Sequence, residues 1–296
     1  MERNVHTVGV DNFSSYSYQS EIKRKNWAYV DSVSTGAIKL YDFDLLNANL
    51  ALLLKDVTHV VHLAAIPGQS KSWTLGRVYW ENNVVATHLL LEELYKRDIK
   101  FIFASSSSVY GDVVEGDESI PKRPISPYGV TKLASEELID TFENAEGSSF
   151  KSVTLRLFSV YGPRQRPDMG IYRFIDSLIK GVPIEVFGDG SALRTFTFVD
   201  DVTAAILSCI QDDGVVGKFN ICGNQTFSVL DVIAMLSKLV ERPVRVHHLP
   251  VRVGDQKKTE GIALRAENAM GFVPALTFED GLRQQVLWHE AQREST

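Results

Sequence analysis

Phe101-Ile102-Phe103-Ala104-Ser105-Ser106-Ser107-Ser108-Val109-Tyr110-Gly111 is an apolar run that ends in hydroxyls. After a polar loop the chain continues Ser126-Pro127-Tyr128-Gly129-Val130-Thr131-Lys132-Leu133-Ala134-Ser135-Glu136-Glu137. The first half predicts a buried strand with a polar carboxyl end, where a ligand can sit. The second half predicts a helix entry: Ser126 as cap, Pro127 in the first turn, and helix formers from Thr131 to Glu146. Tyr128 and Lys132, four apart, then share one helix face. A phenol with a reference pKa near ~10 is a poor base at neutral pH, and a neighbouring ammonium favours its phenolate by roughly 1–3 units. Tyr128 is therefore a candidate base. A serine hydroxyl from the strand end, on the same substrate oxygen, completes a set that takes a proton off an alcohol while hydride leaves the carbon. Ten tyrosines make an isolated Tyr-x3-Lys common, so the rest of the chain must separate this reading from an exposed Tyr and Lys on a surface helix.

Working outward, short apolar strands are expected at Val5–Val10, ending at Asp11-Asn12-Phe13, at Ala37–Tyr41, ending at Asp42-Phe43-Asp44, and at Thr58–Leu63, ending at Ala64-Ala65. Leu45–Leu54 is helical in composition and Leu75–Arg97 reads as one long amphipathic helix. Past the Tyr128 helix come a strand at Ser152–Phe158, an Arg- and Pro-rich loop through Arg164, Arg166 and Asp168, a helix near Tyr172–Lys180 and a strand at Pro183–Phe187. A helix to about Gln211, a strand at Gly217–Cys222, a helix at Ser228–Val240, a strand at Val244–His248 and a closing helix at Thr277–Glu290 follow. Near-continuous apolar strands alternating with helices argue for an α/β fold with a parallel sheet covered on both faces. Ligands of such a sheet gather at the strand carboxyl ends. An Asp ending the first strand can accept hydrogen bonds from adenosine-ribose hydroxyls and repel a 2′-phosphate, which points to NAD over NADP; a plain loop Asp is the alternative.

The 296 residues suffice for one large or two joined domains, with 44% hydrophobic residues to fill a core. A formal charge of −6 lacks the basic footprint of a nucleic-acid or anionic-membrane binder. Cys209 and Cys222 are the only cysteines and lack metal-ligand spacing with histidine, so no disulfide and no metal site is expected. The N-terminus lacks the long apolar segment of a signal peptide and no apolar run approaches bilayer length, so a cytoplasmic location is expected.

Asp11-Asn12-Phe13, Asp42-Phe43-Asp44, His62-Leu63-Ala64-Ala65, Glu81-Asn82-Asn83-Val84, the serine run to Gly111, Pro127-Tyr128-Gly129-Val130-Thr131-Lys132, Leu155-Arg156-Leu157-Phe158, Val160-Tyr161-Gly162-Pro163, Arg166-Pro167-Asp168-Met169 and Gly188-Asp189-Gly190 occur in one order. In that order they resemble an extended short-chain dehydrogenase/reductase of the nucleotide-sugar epimerase/dehydratase family. The resemblance is nearest to the UDP-glucuronate and UDP-glucose 4-epimerases and covers nearly the whole chain. It implies a Rossmann-type doubly wound parallel sheet with a smaller C-terminal substrate-binding α/β lobe. The expected division is 1–161 plus about 199–222 for NAD, and 162–198 plus about 223–296 for the nucleotide sugar. It also implies transient oxidation at C4 of a UDP-sugar: Tyr128 as base, Lys132 depressing its pKa and holding the nicotinamide ribose, and Ser106 as the catalytic hydroxyl. Asp11 and Asn12 would meet the adenosine ribose, Asp42 and Phe43 the adenine, and Leu63, Ala64, Ala65, Asn83 and Phe158 the rest of NAD. Ser159, Phe187, Arg194, Arg252 and Asp255 would hold the nucleoside diphosphate, and Arg166 would lie near a sugar carboxylate; forked guanidinium donors suit both anions. A homodimer through the Leu75–Arg97 and Tyr128–Glu146 helices is implied by the same resemblance.

Dehydratases of this family carry an acidic pair after the catalytic hydroxyl, and the related decarboxylases keep a Glu there; here Ser107 and Ser108 stand in those places, which favours epimerisation. The front of the chain departs from the pattern. Family members open with a strand, a Gly-x-x-Gly-x-x-Gly turn and a helix, ~30 residues that let the backbone approach the pyrophosphate. Met1-Glu2-Arg3-Asn4 reads instead as the end of that helix, and the Val5 strand as the family's second. The missing strand is central to a 3-2-1-4-5-6 order, so both its neighbours are expected to show open edges. A truncated, catalytically impaired remnant, or a non-catalytic nucleotide-sugar-binding protein, is therefore an alternative; another dehydratase or reductase of the family is a second. Smaller departures are Ser70-Lys71 where this epimerase branch usually has an Arg, Thr195 for an Asp after Arg194, and Gly261-Ile262 for an Ala-Asp pair.

Overall fold

A computed structural model describes residues 6–34 and 37–294. β1 (Thr7–Asp11), α1 (Ser20–Val33) and β2 (Ile38–Asp42) lead to α2 (Leu50–Leu53), β3 (His59–His62), α3 (Gln69–Ser72), α4 (Gly76–Trp80) and α5 (Ala86–Leu94). Next come β4 (Lys100–Ser106), β5 (Val113–Gly116), α6 (Pro127–Glu143), β6 (Lys151–Leu157), β7 (Ser159–Tyr161), α7 (Gly170–Lys180) and β8 (Ile184–Phe187). β9 (Leu193–Phe198), α8 (Val199–Gln211), β10 (Gly217–Ile221), β11 (Thr226–Ser228), α9 (Val229–Leu239), β12 (Val246–Leu249), β13 (Lys258–Gly261), α10 (Leu264–Met270) and α11 (Phe278–Glu294) complete the chain.

The sheet that carries the site is parallel, in the order β10-β6-β4-β3. Its central strand shows why the sequence folds this way. Alternate β4 side chains point to opposite faces: Phe101 and Phe103 join Leu90, Leu91, Leu94, Ile139 and Phe150, while Ile102 joins Val153, Leu155, Ala205, Cys209 and Phe219. Each such side chain contributes roughly 1.5–3 kcal/mol by leaving water, and both faces are covered as a parallel sheet requires. β1 and β2 form a separate parallel pair. Among the described residues no ladder joins β1 to β3, so the doubly wound order is interrupted where the sequence places its break. The Val5 start of the first strand and the helix end expected at Met1-Glu2-Arg3-Asn4 lie outside the described residues.

A further sheet runs β11-β9-β13-β5 with β7 on β9, and β8 pairs β12. Around them Ile171, Ile175, Leu178, Ile184, Val186, Val232, Leu236 and Leu282 pack into their own core.

Several elements differ from expectation. Leu45–Leu54 is broken into a 3-10 turn, Leu45–Asn47, and the single turn α2, because Asp44 and Asn49 cap each start by accepting from Leu46 N and Leu52 N. The helix expected over Leu75–Arg97 is α4 and α5 joined by a π-helical turn at Glu81–Val85, and it ends at Leu94. α6 ends at Glu143, short of Glu146. α1 escaped prediction because none of its residues is buried, so it carries no apolar stripe to read. β5 and β13 pair in parallel with each other; their polar sequences owe their strand form to that long-range partnership. Among the described residues no helix is long and apolar enough to cross a membrane, and no three His, Cys, Asp or Glu side chains are grouped to hold a metal ion.

Candidate active site

The serine run and the start of α6 meet at the carboxyl end of β4. Ser126 caps α6 by accepting from Gly129 N at 3.1 Å, with Pro127 in the first turn. A Cβ on Gly129 would lie 2.5 Å from the Ser108 carbonyl oxygen, so only glycine lets the helix start press against the serine run. Tyr128 is buried edge-to-face against Tyr79, with ring centroids 6.2 Å apart. Lys132, also buried, donates to the Ala104 carbonyl at 2.8 Å and lies 4.8 Å from the centroid of the Phe103 ring. The Ser106 hydroxyl accepts from Ser108 N at 3.1 Å, donates to Ser108 Oγ at 3.2 Å, and bonds to the Tyr128 phenol. Strand end, helix face and hydroxyl thus come together as expected.

Burial pushes the Tyr128 phenol above its ordinary value, and what opposes it is the bond to Ser106 and the nearby Arg166 cation. Lys132 is turned onto the Ala104 carbonyl. Burial brings Lys132 itself down to about 8, against the opposing charge of Glu136. His62, stacked on Phe101 and Phe103 and bonded to Thr87 Oγ1 at 3.0 Å, is pushed to about 3 by burial and by Lys132, so it stays neutral.

The expected cofactor residues line the ends of β1, β2 and β3. Asp11 accepts from Phe13 N at 2.7 Å, and Asn12 donates to Asp44 at 2.9 Å. Asp42 pairs with Arg24 at 2.9 Å, and Phe43 lies beside Tyr41 with centroids 6.1 Å apart. After the buried His62, Leu63 is 59% exposed and Ala64 is open, followed by half-buried Ala65. Asn83 is buried on the π-helical turn, where it accepts from Ile66 N at 2.7 Å and donates to Ile66 O and to Thr131 Oγ1. That wider turn aims the Asn83 amide across to both the β3 loop and α6. Phe158 is buried, and a Cβ on Gly261 would come within 2.5 Å of its ring, which gives the departure at Gly261 a packing reason.

The expected substrate residues fall into two groups. Arg252 stacks on Phe187 at 4.1 Å and pairs with Asp255 at 2.8 Å, and Arg194 feels both of these charges while burial lowers it. Arg166 has other partners. Its guanidinium faces Gly68 and influences Tyr18, Tyr79 and Tyr128, and it is paired with Asp168 at 3.0 Å. Ser159 opens β7 directly after Phe158.

Three features escaped the sequence reading. Gln69 donates to Ser108 Oγ and to Gln256, each at 3.0 Å, and Arg194 donates to the Gln256 carbonyl, so an amide chain ties the serine run to the Arg194 strand. Lys71, at one of the departures, donates to the carbonyls of Tyr16 and Ser17 and ties the loop after β1 to α3. Behind the site, Arg156 and Glu136 form a fully buried ion pair. Only the last left a signal, an arginine set between Leu155 and Leu157 in a buried strand, which needs a buried counter-charge.

Comparisons with known proteins agree with this geometry. Residues 1–222 match the NAD dependent epimerase/dehydratase family. A Bacillus subtilis (strain 168) protein described as an uncharacterized UDP-glucose epimerase is 36% identical over 83% of this chain and 78% of its own length. The UDP-glucuronate 4-epimerase of Thermodesulfobacterium geofontis is 30% identical over 95% of this chain and 87% of its own length. The crystal structure of UDP-glucuronic acid 4-epimerase from Bacillus cereus, in complex with UDP-glucuronic acid and NAD, superposes with a TM-score of 0.91 at 34% identity, covering 97% of this chain and 91% of that one. With the Tyr128, Lys132 and Ser106 side chains gathered at one strand end of a parallel sheet and the match spanning most of its length, the chain belongs to the NAD-dependent epimerase/dehydratase family.

Proposed function

We propose that the protein is an NAD-dependent nucleotide-sugar 4-epimerase acting on a UDP-sugar. The observation that carries this is the convergence of Ser106, Tyr128 and Lys132, with Ser107 and Ser108 rather than acids beside them. The Ser108 hydroxyl accepts from the Gln69 amide at 3.0 Å. The donor set fits NAD. Asp11 and Asp42 offer carboxylate acceptors for ribose and adenine, open Ala64 leaves room at the β3 end, and Asn83 and Lys132 would hold the nicotinamide end. The chemistry that NAD supplies when bound is reversible acceptance of a hydride. Tyr128 takes the C4 hydroxyl proton and returns it after the keto sugar has turned over, Ser106 binds the same oxygen, and Lys132 would hold the nicotinamide ribose and, as a cation, favour the phenolate.

Arg194, Arg252, Asp255 and Phe187 are the proposed nucleoside diphosphate site, with Ser159 at its inner end. Arg166, held by Asp168 on the Tyr128 side, is the proposed partner of a sugar carboxylate, which favours a UDP-hexuronate over a neutral hexose. The division at 1–161 plus about 199–222, against 162–198 plus about 223–296, is supported by the separate core around Ile175 and Leu236. A cytoplasmic homodimer through the α4–α5 helix and α6 completes the reading; Trp80 of α4 and Val130 of α6 are exposed. The test is C4 inversion of UDP-glucuronate and UDP-glucose followed by NMR. The Tyr128→Phe variant is expected to lose at least ~100-fold in turnover, and undiminished turnover would sink the proposal. Faster inversion of UDP-glucose would move the substrate to the neutral hexose.

A further inference from the structure

Two consecutive residues of β4 receive two side chains one turn apart on α6. The Ala104 carbonyl takes the Lys132 ammonium at 2.8 Å, and the Ser105 hydroxyl donates to Glu136 at 2.5 Å. Glu136 is 0% exposed and is gripped from β6 by Arg156, whose Nε and Nη2 reach its two oxygens at 3.1 and 2.7 Å. Arg156 also donates to the Tyr110 hydroxyl at 2.8 Å, which donates to Asn220 on β10 at 2.6 Å. Lys218 of β10 approaches Glu136 at 3.7 Å and pairs with Asp140 at 2.6 Å. A buried carboxylate in this position must be neutralised to be tolerated, and here it is neutralised on the side away from the site.

We propose that Glu136 is a positioning residue of the candidate site: fixed by Arg156 and Ser105 one helical turn from Lys132, its carboxylate pins α6 to β4 beside the Lys132–Ala104 contact and is the fixed negative charge nearest that ammonium. The charged and titratable groups around Lys132 leave few other sources of negative charge. On β3, His62 is neutral and is itself lowered by Lys132. On α6, Tyr128 is neutral at its raised value, and Arg166, beyond it, is a cation. Arg156 on β6 and Lys218 on β10 are cations paired with Glu136, and Asp140 is occupied by Lys218. Burial lowers Lys132, and Glu136 is the charge that opposes it.

The inference rests on Lys132 being the cation of the epimerase site, yet its test needs no turnover. Lysine labelled with 13C at Cε is titrated by NMR in the full chain, the Lys132 signal being the one lost in Lys132→Arg. The wild-type midpoint is expected near pH 8. Glu136→Gln should lower it by about one unit or more, roughly tenfold in protonation equilibrium. Lys218→Met strips a cation from Glu136 and Asp140 and should raise it by ~0.3 unit. Opposite shifts in two folded variants are not the signature of general loosening. An unchanged midpoint in folded Glu136→Gln overturns the inference; should that variant not fold, an unchanged midpoint in Lys218→Met overturns it instead. A Tyr128→Phe variant with full turnover would refute the epimerase reading while leaving this titration as it stands.

Discussion

The β3-β4-β6-β10 sheet and the β1-β2 pair are built from the same kinds of residue, yet they are held in different ways. β4 is buried over most of its length and contributes aromatic side chains to dense packing on one face and Ile102 on the other. β1 is exposed at Thr7 and Val8, β2 is exposed at Lys39, Tyr41 and Asp42, and α1 buries none of its residues. Discrete ties position the pair instead: Trp27 against Phe13, Arg164 bonded to Asn26 and stacked on Tyr29, and Lys71 on the carbonyls of Tyr16 and Ser17. A parallel strand gains stability from cover on both faces and a partner on each edge. The proposed catalytic set stands on the region that has these, and the proposed adenosine residues stand on the region that has fewer.

The largest expected contrast is in mutational cost. Phe101→Ala, at a fully buried position, should lose ~3–5 kcal/mol in denaturant unfolding. Val8→Ala, 44% exposed, should change stability by less than ~0.5 kcal/mol. Equal costs would break the comparison. A second contrast is in pH dependence. The folded His62 is held near about 3, against an ordinary 6.5, so between those values the unfolded chain binds a proton that the folded chain refuses. Stability therefore falls as pH drops through that window, by up to ~1.4 kcal/mol per unit. His62→Gln should flatten the acid limb of a melting-temperature profile by about that slope; an identical limb would mean His62 takes up its proton while folded. The smallest effect sharpens the picture of the β1-β2 pair. Arg164→Ala removes one hydrogen bond and one cation-π contact, ~1 kcal/mol together. Amide exchange should quicken across α1 while β4 is unchanged, and uniform acceleration would show that the two regions open as one unit.

Much of this was legible before any coordinates. Ser126, Pro127 and Tyr128 announce a helix start, and the hydroxyls after Phe103 announce a polar strand end, because capping and burial act locally. The Gly129 approach to Ser108 was not legible, since it depends on where the helix lands. The resting partner of Lys132 was not legible for a related reason: helix spacing places two side chains on one face but leaves open which neighbour the longer one chooses, and Lys132 chooses Ala104. Gln69 and Gln256, far apart in sequence, carry no local pattern that would pair them.

By itself the sequence determined the parallel α/β class, the residues at the strand ends and the family order of motifs, because strand periodicity, caps and short motifs are properties of neighbouring residues. Only the tertiary structure decided which of those residues meet. It turned the Leu75–Arg97 helix through a π-helical turn to aim Asn83, gave Arg166 and Arg252 different carboxylate partners, and set Glu136 one turn beyond Lys132 against Arg156. The physical reason is that burial and electrostatics sum over everything packed around a group, and most of what surrounds these side chains comes from distant parts of the chain.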